Sequence, residues 1–260
     1  MGRAVRTRAL RRLRLSLPLL AASALVMAVP AATAATSPSL GVASTFSILA
    51  STYTNTAAGT TINGDLGYTT GPATNPTVNG NTFVAPNTTY SQAGTAQGVA
   101  LPLLAAQTCT FNFAPGAIDL AKDTTHGPIG VYTPGVYCIV GAGSIGTAGI
   151  TLTGAGTYIF RMTGALNTVA NSAVRVANGA CASDTFWTPV ATTLGANSTF
   201  LGTDIDNAGI TIGHLVTWTG RALSFASTVS TDADTITTAA GCAPLTPAAP
   251  GLPAGPSFTG

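Results

Sequence analysis

Thr192 to Leu223 reads TTLGANSTFLGTDIDNAGITIGHLVTWTGRAL, and its second half repeats the first at an interval of 18 residues. Thr211 falls under Thr193, Ile212 under Leu194, Gly213 under Gly195, Thr217 under Thr199, Trp218 under Phe200 and Gly220 under Gly202. Each half is a short alternating run, a glycine corner, then a second alternating run. Alternation puts successive side chains on opposite sides of a strand, and small corner residues let the chain turn between strands. A unit this short cannot bury its own apolar side, so like units must stack and share a core.

The same language extends on both sides. "GITLTGAGTYIFRM" from Gly149, "ALNTVANSAVRV" from Ala165 and "TVSTDADTIT" from Thr228 belong to the series. With the middle residue of each first strand as marker, the units start at Thr151, Asn167, Thr193, Thr211 and Ser230, at steps of 16, 26, 18 and 19. The step of 26 carries an insertion around "GACASDTFW". Ile150, Leu152, Leu194, Ile210, Ile212 and Val229 are expected to point inward, with Thr and Ser outward. Earlier strand signals are "TFSILAS", "TTINGDLGY" and "PTVNGNTFV". One helix is expected over residues 88–107, "TTYSQAGTAQGVALPLLAAQ", capped by Thr89 or Ser91 and kinked or interrupted at Pro102. Gly94 and Gly98 weaken it, so it must lean on a neighbour.

Charge separates the chain into two parts. Six arginines, Arg3, Arg6, Arg8, Arg11, Arg12 and Arg14, precede an apolar run from Leu15 to Val29 that ends in Ala32-Thr33-Ala34. That order reads as a secretory signal over residues 1–35, and the apolar run is too short for a membrane span. The remainder holds Lys122, Arg161, Arg175 and Arg221 against eight Asp and no Glu, a net charge of 4 − 8 = −4. So few cations exclude a nucleic-acid partner. So few charges of either sign argue against an amphipathic helical protein. A single domain over residues 36–242 is expected, followed by a Pro- and Ala-rich tail at 243–260. No cofactor is implied; the product is a secreted monomer with no membrane span once the signal is cut.

Cys109, Cys138, Cys181 and Cys242 do not have the short spacing of a zinc site, and an exported chain oxidises its thiols. Three pairings can be drawn. Cys109 with Cys138 and Cys181 with Cys242 are favoured because each closes a local segment.

Several ordered motifs carry a resemblance: "LGVASTFSILA" at Leu40, "INGDLG" at Ile62, "GVYTPGVY" at Gly130, "GTYIFRM" at Gly156, "ANGACASDTFW" at Ala177, "LGANSTFLG" at Leu194 and "TWTGRALS" at Thr217. Together they resemble the secreted microbial ice-binding proteins of the DUF3494 family, from about Leu40 to Thr238. The resemblance implies a mainly β fold, a discontinuous right-handed β-solenoid of triangular cross-section with one long α-helix packed alongside. It also implies an ice crystal surface as partner, met by a flat face bearing Thr-[Ala/Gly]-x-[Thr/Asn] stretches. "TGAG" at Thr153 and "TVAN" at Thr168 are near forms, "GANS" at Gly195 is looser, and "HLVT" at His214 departs from the pattern. The residues expected to meet ice are Thr151, Thr153, Asn167, Thr168, Asn171, Thr193, Asn197, Thr211, Thr217 and Ser230.

The rival chemistries are thinly supported. Without Glu, a general base would have to come from Asp65, Asp119, Asp123, Asp184, Asp204, Asp206, Asp232 or Asp234. Asp204 with Asp206 and Asp232 with Asp234 have calcium-compatible spacing, yet such pairs more often fix corners. His126 and His214 stand beside no nucleophile motif. An adhesive module holding a glycan or a protein is the alternative; it would expose aromatic platforms, for which Tyr53, Tyr68 and Tyr90 are candidates while Trp187 and Trp218 align with core positions. The expectation is therefore a binding protein and not an enzyme.

Overall fold

The computed structural model describes Gly2 and residues 34–242. The expected export signal, apart from Gly2, Ala34 and Ala35, and the expected tail at 243–260 lie outside the described residues. The remainder winds into stacked coils, each crossing three faces, with every strand pairing parallel to those of adjacent coils.

The helix face is laid down by Phe111–Asn112, Gly135–Ile139, Tyr158–Met162, Thr185–Thr188, the latter part of Thr199–Ile205, the middle of Thr217–Thr231, then the first part of Phe46–Asn55, Asp65–Tyr68 and Thr82–Val84. The stack is thus discontinuous in sequence. The N-terminal coils extend the pile that the C-terminal coils finish, with Leu49 beside Leu223. The helix α1, Thr88–Ala105, connects the coil containing Thr82–Val84 to the first coil of the longer series.

Residues aimed inward form the core expected from the alternation; Ile150, Leu152, Leu194, Ile210, Ile212 and Val229 are all buried. An aromatic column runs through it. Tyr137 stacks on Phe160 at 5.1 Å, Phe160 on Trp187 at 4.3 Å, and Trp187, Phe200 and Trp218 follow at 5.2 and 5.0 Å. Both indole N–H groups donate to backbone carbonyls, of Leu201 and Gly202, so these rings are buried with their polar edge satisfied.

Helix α1 stops at Ala105, two residues short of expectation, and its cap is Asn87, whose side chain accepts from the Tyr90 N–H. Pro102 lies within it without ending it. It sits in the last turn, where it removes one intrahelical bond, to the Gly98 carbonyl, and the helix ends three residues later. Tyr90, Ala93, Gly94, Gln97, Ala100 and Leu104 face the solenoid and pack with Leu49, Val136, Ile159, Phe186, Ile205 and Leu223. Gly94 is required for this approach, because a Cβ there would stand 2.5 Å from the Phe225 ring. Cys109–Cys138 ties the helix exit to the second strand of this face, and Cys181–Cys242 ties the inserted corner to the end of the described chain, the two pairings favoured above.

Candidate functional site

Two faces remain open. On the first, strands Ile118–Asp119, Gly143–Ile145, Leu166–Thr168, Thr192–Leu194, Ile210–Ile212 and the ends of Thr217–Thr231 and Phe46–Asn55 lie side by side. Their registers put Asp119, Ser144, Asn167, Thr193, Thr211, Ser230 and Thr54 in one outward column. Adjacent rows are about 4.8 Å apart. Gly195 and Gly213 follow Leu194 and Ile212 and keep the flank of this column low. Thr54 donates to the Ser230 hydroxyl at 2.8 Å, which fixes one end of the row.

Of the expected residues, Asn167, Thr193, Thr211 and Ser230 therefore meet on one face. Thr151 does not share their column; it pairs with Val131 and Arg175 on the second open face, together with Thr153. Its place in the first column is taken by Ser144. The column steps from Asp119 to Ser230 are 25, 23, 26, 18 and 19, so long coils are the rule at one end and the apparent step of 16 crossed from one face to another. Thr168 is turned inward, buried, and its hydroxyl accepts from the Gly195 N–H, so it has nothing to offer at the surface. Asn171 and Asn197 stand at the corner between the open faces with φ of 63° and 57°, a conformation that Asn tolerates better than most residues. Thr217 lies on the second open face.

That second face holds an array which the expected residues barely sampled. Thr199 pairs with Thr217, Thr217 with Thr235, Thr235 with Thr61 and Thr61 with Thr77. Two residues along each strand, Thr219, Thr237 and Asn63 make a parallel column, and Asn79 continues it by donating to the Asn63 side chain at 2.7 Å. The signal was present as "TWT", "TIT", "TIN" and "TVN", a hydroxyl or amide on each side of a buried or, in Val78, half-buried apolar residue.

The carboxylates are tied up in buried hydrogen bonds and at corners. Asp204 is fully buried, takes a hydrogen bond from Thr192, and has its other oxygen unpartnered among the described residues. Burial, with Asp206 beside it, pushes its carboxyl well above the usual range. Asp206 is also raised by burial, against hydrogen bonds from Ser224 and Gly209. Asp234, raised to about 7 by burial, takes the N–H groups of Val216 and Asp232 at a corner, as the turn-fixing reading expects. His214 lies 3.3 Å from Asp232 at the same corner. His126 is remote from it, its ring stacked on Tyr132 at 4.0 Å with one nitrogen against Asp123 and the other against the Val131 carbonyl. Burial raises the Asp123 carboxyl, but hydrogen bonds from His126 and Thr125 outweigh it and hold it low. Asp65 fixes a turn by accepting from Asn81.

Nor do the aromatics form a platform. Tyr53 and Tyr90 are buried and hydrogen-bonded, to Thr231 and the Ala50 carbonyl, and Tyr68 is half-buried, stacked on Tyr53. Among the described residues no Trp, Tyr or Phe is exposed.

The family model described as ice-binding-like matches residues 48–237. Solved structures similar to the chain include an ice-binding protein from the Antarctic ascomycete Antarctomyces psychrotrophicus, 27% identical with a TM-score of 0.68, covering 78% of this chain and 98% of that one. An ice-binding protein from an Antarctic biological consortium is 26% identical with a TM-score of 0.69, covering 80% and 94%. One from an Antarctic bacterium, Flavobacteriaceae, is 29% identical with a TM-score of 0.68; there 80% of this chain spans 48% of the other. The search of curated proteins finds no match.

Proposed function

Because the chain belongs to the ice-binding-like family, we propose that it adsorbs to ice crystals and restrains their growth or recrystallisation. The observation that carries this reading is the register-locked column of Ser144, Asn167, Thr193, Thr211, Ser230 and Thr54 on an open face. Liquid water competes for any group that offers ice one or two hydrogen bonds, so a useful surface must be broad, regular and rigid. Each Thr offers a methyl that favours ordered water around it and a hydroxyl that anchors that water. Its branched Cβ already restricts χ1, so little freedom is lost on adsorption. The stacked aromatic core beneath keeps the rows fixed.

The same reading makes the protein a non-catalytic, secreted monomer. Two disulfides support export, as does the basic and apolar N-terminal stretch. A glycan-holding module is disfavoured by the absence of exposed aromatic side chains among the described residues. The test is thermal hysteresis and recrystallisation inhibition by purified protein beside Thr193→Tyr/Thr211→Tyr, with melting curves as a folding control. Activity in the parent that falls steeply in the folded variant supports the reading; an inactive parent refutes it.

A further inference from the structure

The geometry points to the second open face as an ice-adsorbing site in its own right, distinct from the first. This rests on the ice-binding reading above and extends it to residues that the expected set left out. The site is the double column Thr199, Thr217, Thr235, Thr61 and Thr77 with Thr219, Thr237, Asn63 and Asn79.

Three observations support it. First, the face is two-dimensional where the first open face has one full column: rows repeat at about 4.8 Å across the strands and about 6.7 Å along them. Second, the threonines continue across the break in the chain. Thr61 and Thr235 are neighbours although 174 residues separate them in sequence, and Thr77 carries the column one coil further. Copying of adjacent repeats would explain Thr199, Thr217 and Thr235 but not the agreement of an N-terminal segment that joins them only on folding. Third, strand propensity alone does not demand Thr there. At the other end of this face Thr151 is flanked by Val131 and Arg175, and Val176 is exposed.

The occupant this surface fits is an ordered water lattice. The double column has no charged residue, whereas a charged partner would call for complementary charge. An apolar partner would call for Val or Leu in place of threonines, and a sugar for exposed rings. Asn79 donates to Asn63 at 2.7 Å and Asn63 to the Thr237 hydroxyl at 3.0 Å, so the polar edge of the face is already ordered. Among the described residues the Thr199, Thr217, Thr235 and Thr77 hydroxyls engage no protein partner, and all four residues are exposed.

The test uses the protein labelled with a fluorophore at Lys122, its single lysine, in the first coil of the longer series. Parent, Thr193→Tyr/Thr211→Tyr, Thr217→Tyr/Thr235→Tyr and the fourfold variant are adsorbed to single-crystal ice hemispheres, with melting curves confirming that each is folded. The expected result is that Thr217→Tyr/Thr235→Tyr loses a set of labelled ice planes which Thr193→Tyr/Thr211→Tyr retains, and that the fourfold variant labels none. If Thr217→Tyr/Thr235→Tyr labels the same planes as the parent, or Thr193→Tyr/Thr211→Tyr labels none at all, the second face is not a site. If blocking the second face alone removes all labelling, this site stands and the assignment of the first column falls. A parent that labels no ice overturns the ice-binding reading itself.

Discussion

The helix face and the two open faces are built by the same coils, yet they carry opposite chemistry. Where α1 lies against the stack the outward residues are Val136, Ile159, Phe186, Ile205, Leu223 and Leu49; on the open faces they are mainly Thr, Ser and Asn, with Asp119, Val131 and Arg175 confined to one end. A strand accepts either set without complaint. The difference is set by what each face meets: a protein neighbour rewards apolar area, while a surface left to water must neither attract another chain nor hold a strong hydration shell. Uncharged, branched hydroxyl residues satisfy both demands, and open faces of Lys and Glu would satisfy only the first.

The sharpest contrast should come from cutting beneath both kinds of face. Trp187→Ala removes a ring between Phe160 and Phe200 and should cost about 3–5 kcal/mol, seen in denaturant unfolding. On the helix face, Gly94→Val would drive a side chain into the Phe225 ring and should destabilise by about 1–3 kcal/mol. Thr211→Val on an open face should stay within about 0.5 kcal/mol. Equal losses for the last two would break the distinction between a packed face and a free one.

A smaller effect concerns the corner carboxyls. Asp204, Asp206 and Asp234 bind protons more tightly when folded than the ordinary value of 3.8, so the folded state holds more protons than the unfolded one above that pH. Their contribution is most favourable below about 4 and is lost as pH rises; for Asp234 the window closes near 7. Asp123 acts in the opposite sense and only at more acid pH. Melting temperature should therefore fall between pH 4 and 7, and Asp204→Asn, an isostere of the neutral acid, should flatten that slope. A slope unchanged by the substitution would show that Asp204 does not contribute to it. A further effect, of opposite sign, is expected at the corner between the open faces. Leu215 has φ of 58° and is exposed, so Leu215→Asn should stabilise by about 1 kcal/mol in the same unfolding assay.

Stacking, the inward residues and both cysteine pairings could be read along the chain because they depend on local alternation and on compartment chemistry. Face assignment could not. Coil length changes from about 25 residues to about 18 along the stack, so counting from Thr151 to Asn167 passed from one face to the other. Thr168 looked like its neighbours in a "TVAN" motif, yet it lies one position along the strand from Asn167 and so points inward. The Thr61–Thr77 step is local, but the pair joins the second array only because Thr61 meets the distant Thr235, and short-range periodicity carries no trace of that junction. Pro102 does not interrupt the helix because it falls in the last turn, where only one intrahelical bond is lost.

The central claim is that ice meets the Thr-, Ser- and Asn-lined columns of the open faces and not the helix side. Thermal hysteresis measured at equal concentrations of folded parent and of Thr193→Tyr/Thr211→Tyr/Thr217→Tyr/Thr235→Tyr tests it most directly. The expected result is a freezing gap in the parent that the fourfold variant lacks; an undiminished gap in the variant would contradict the claim.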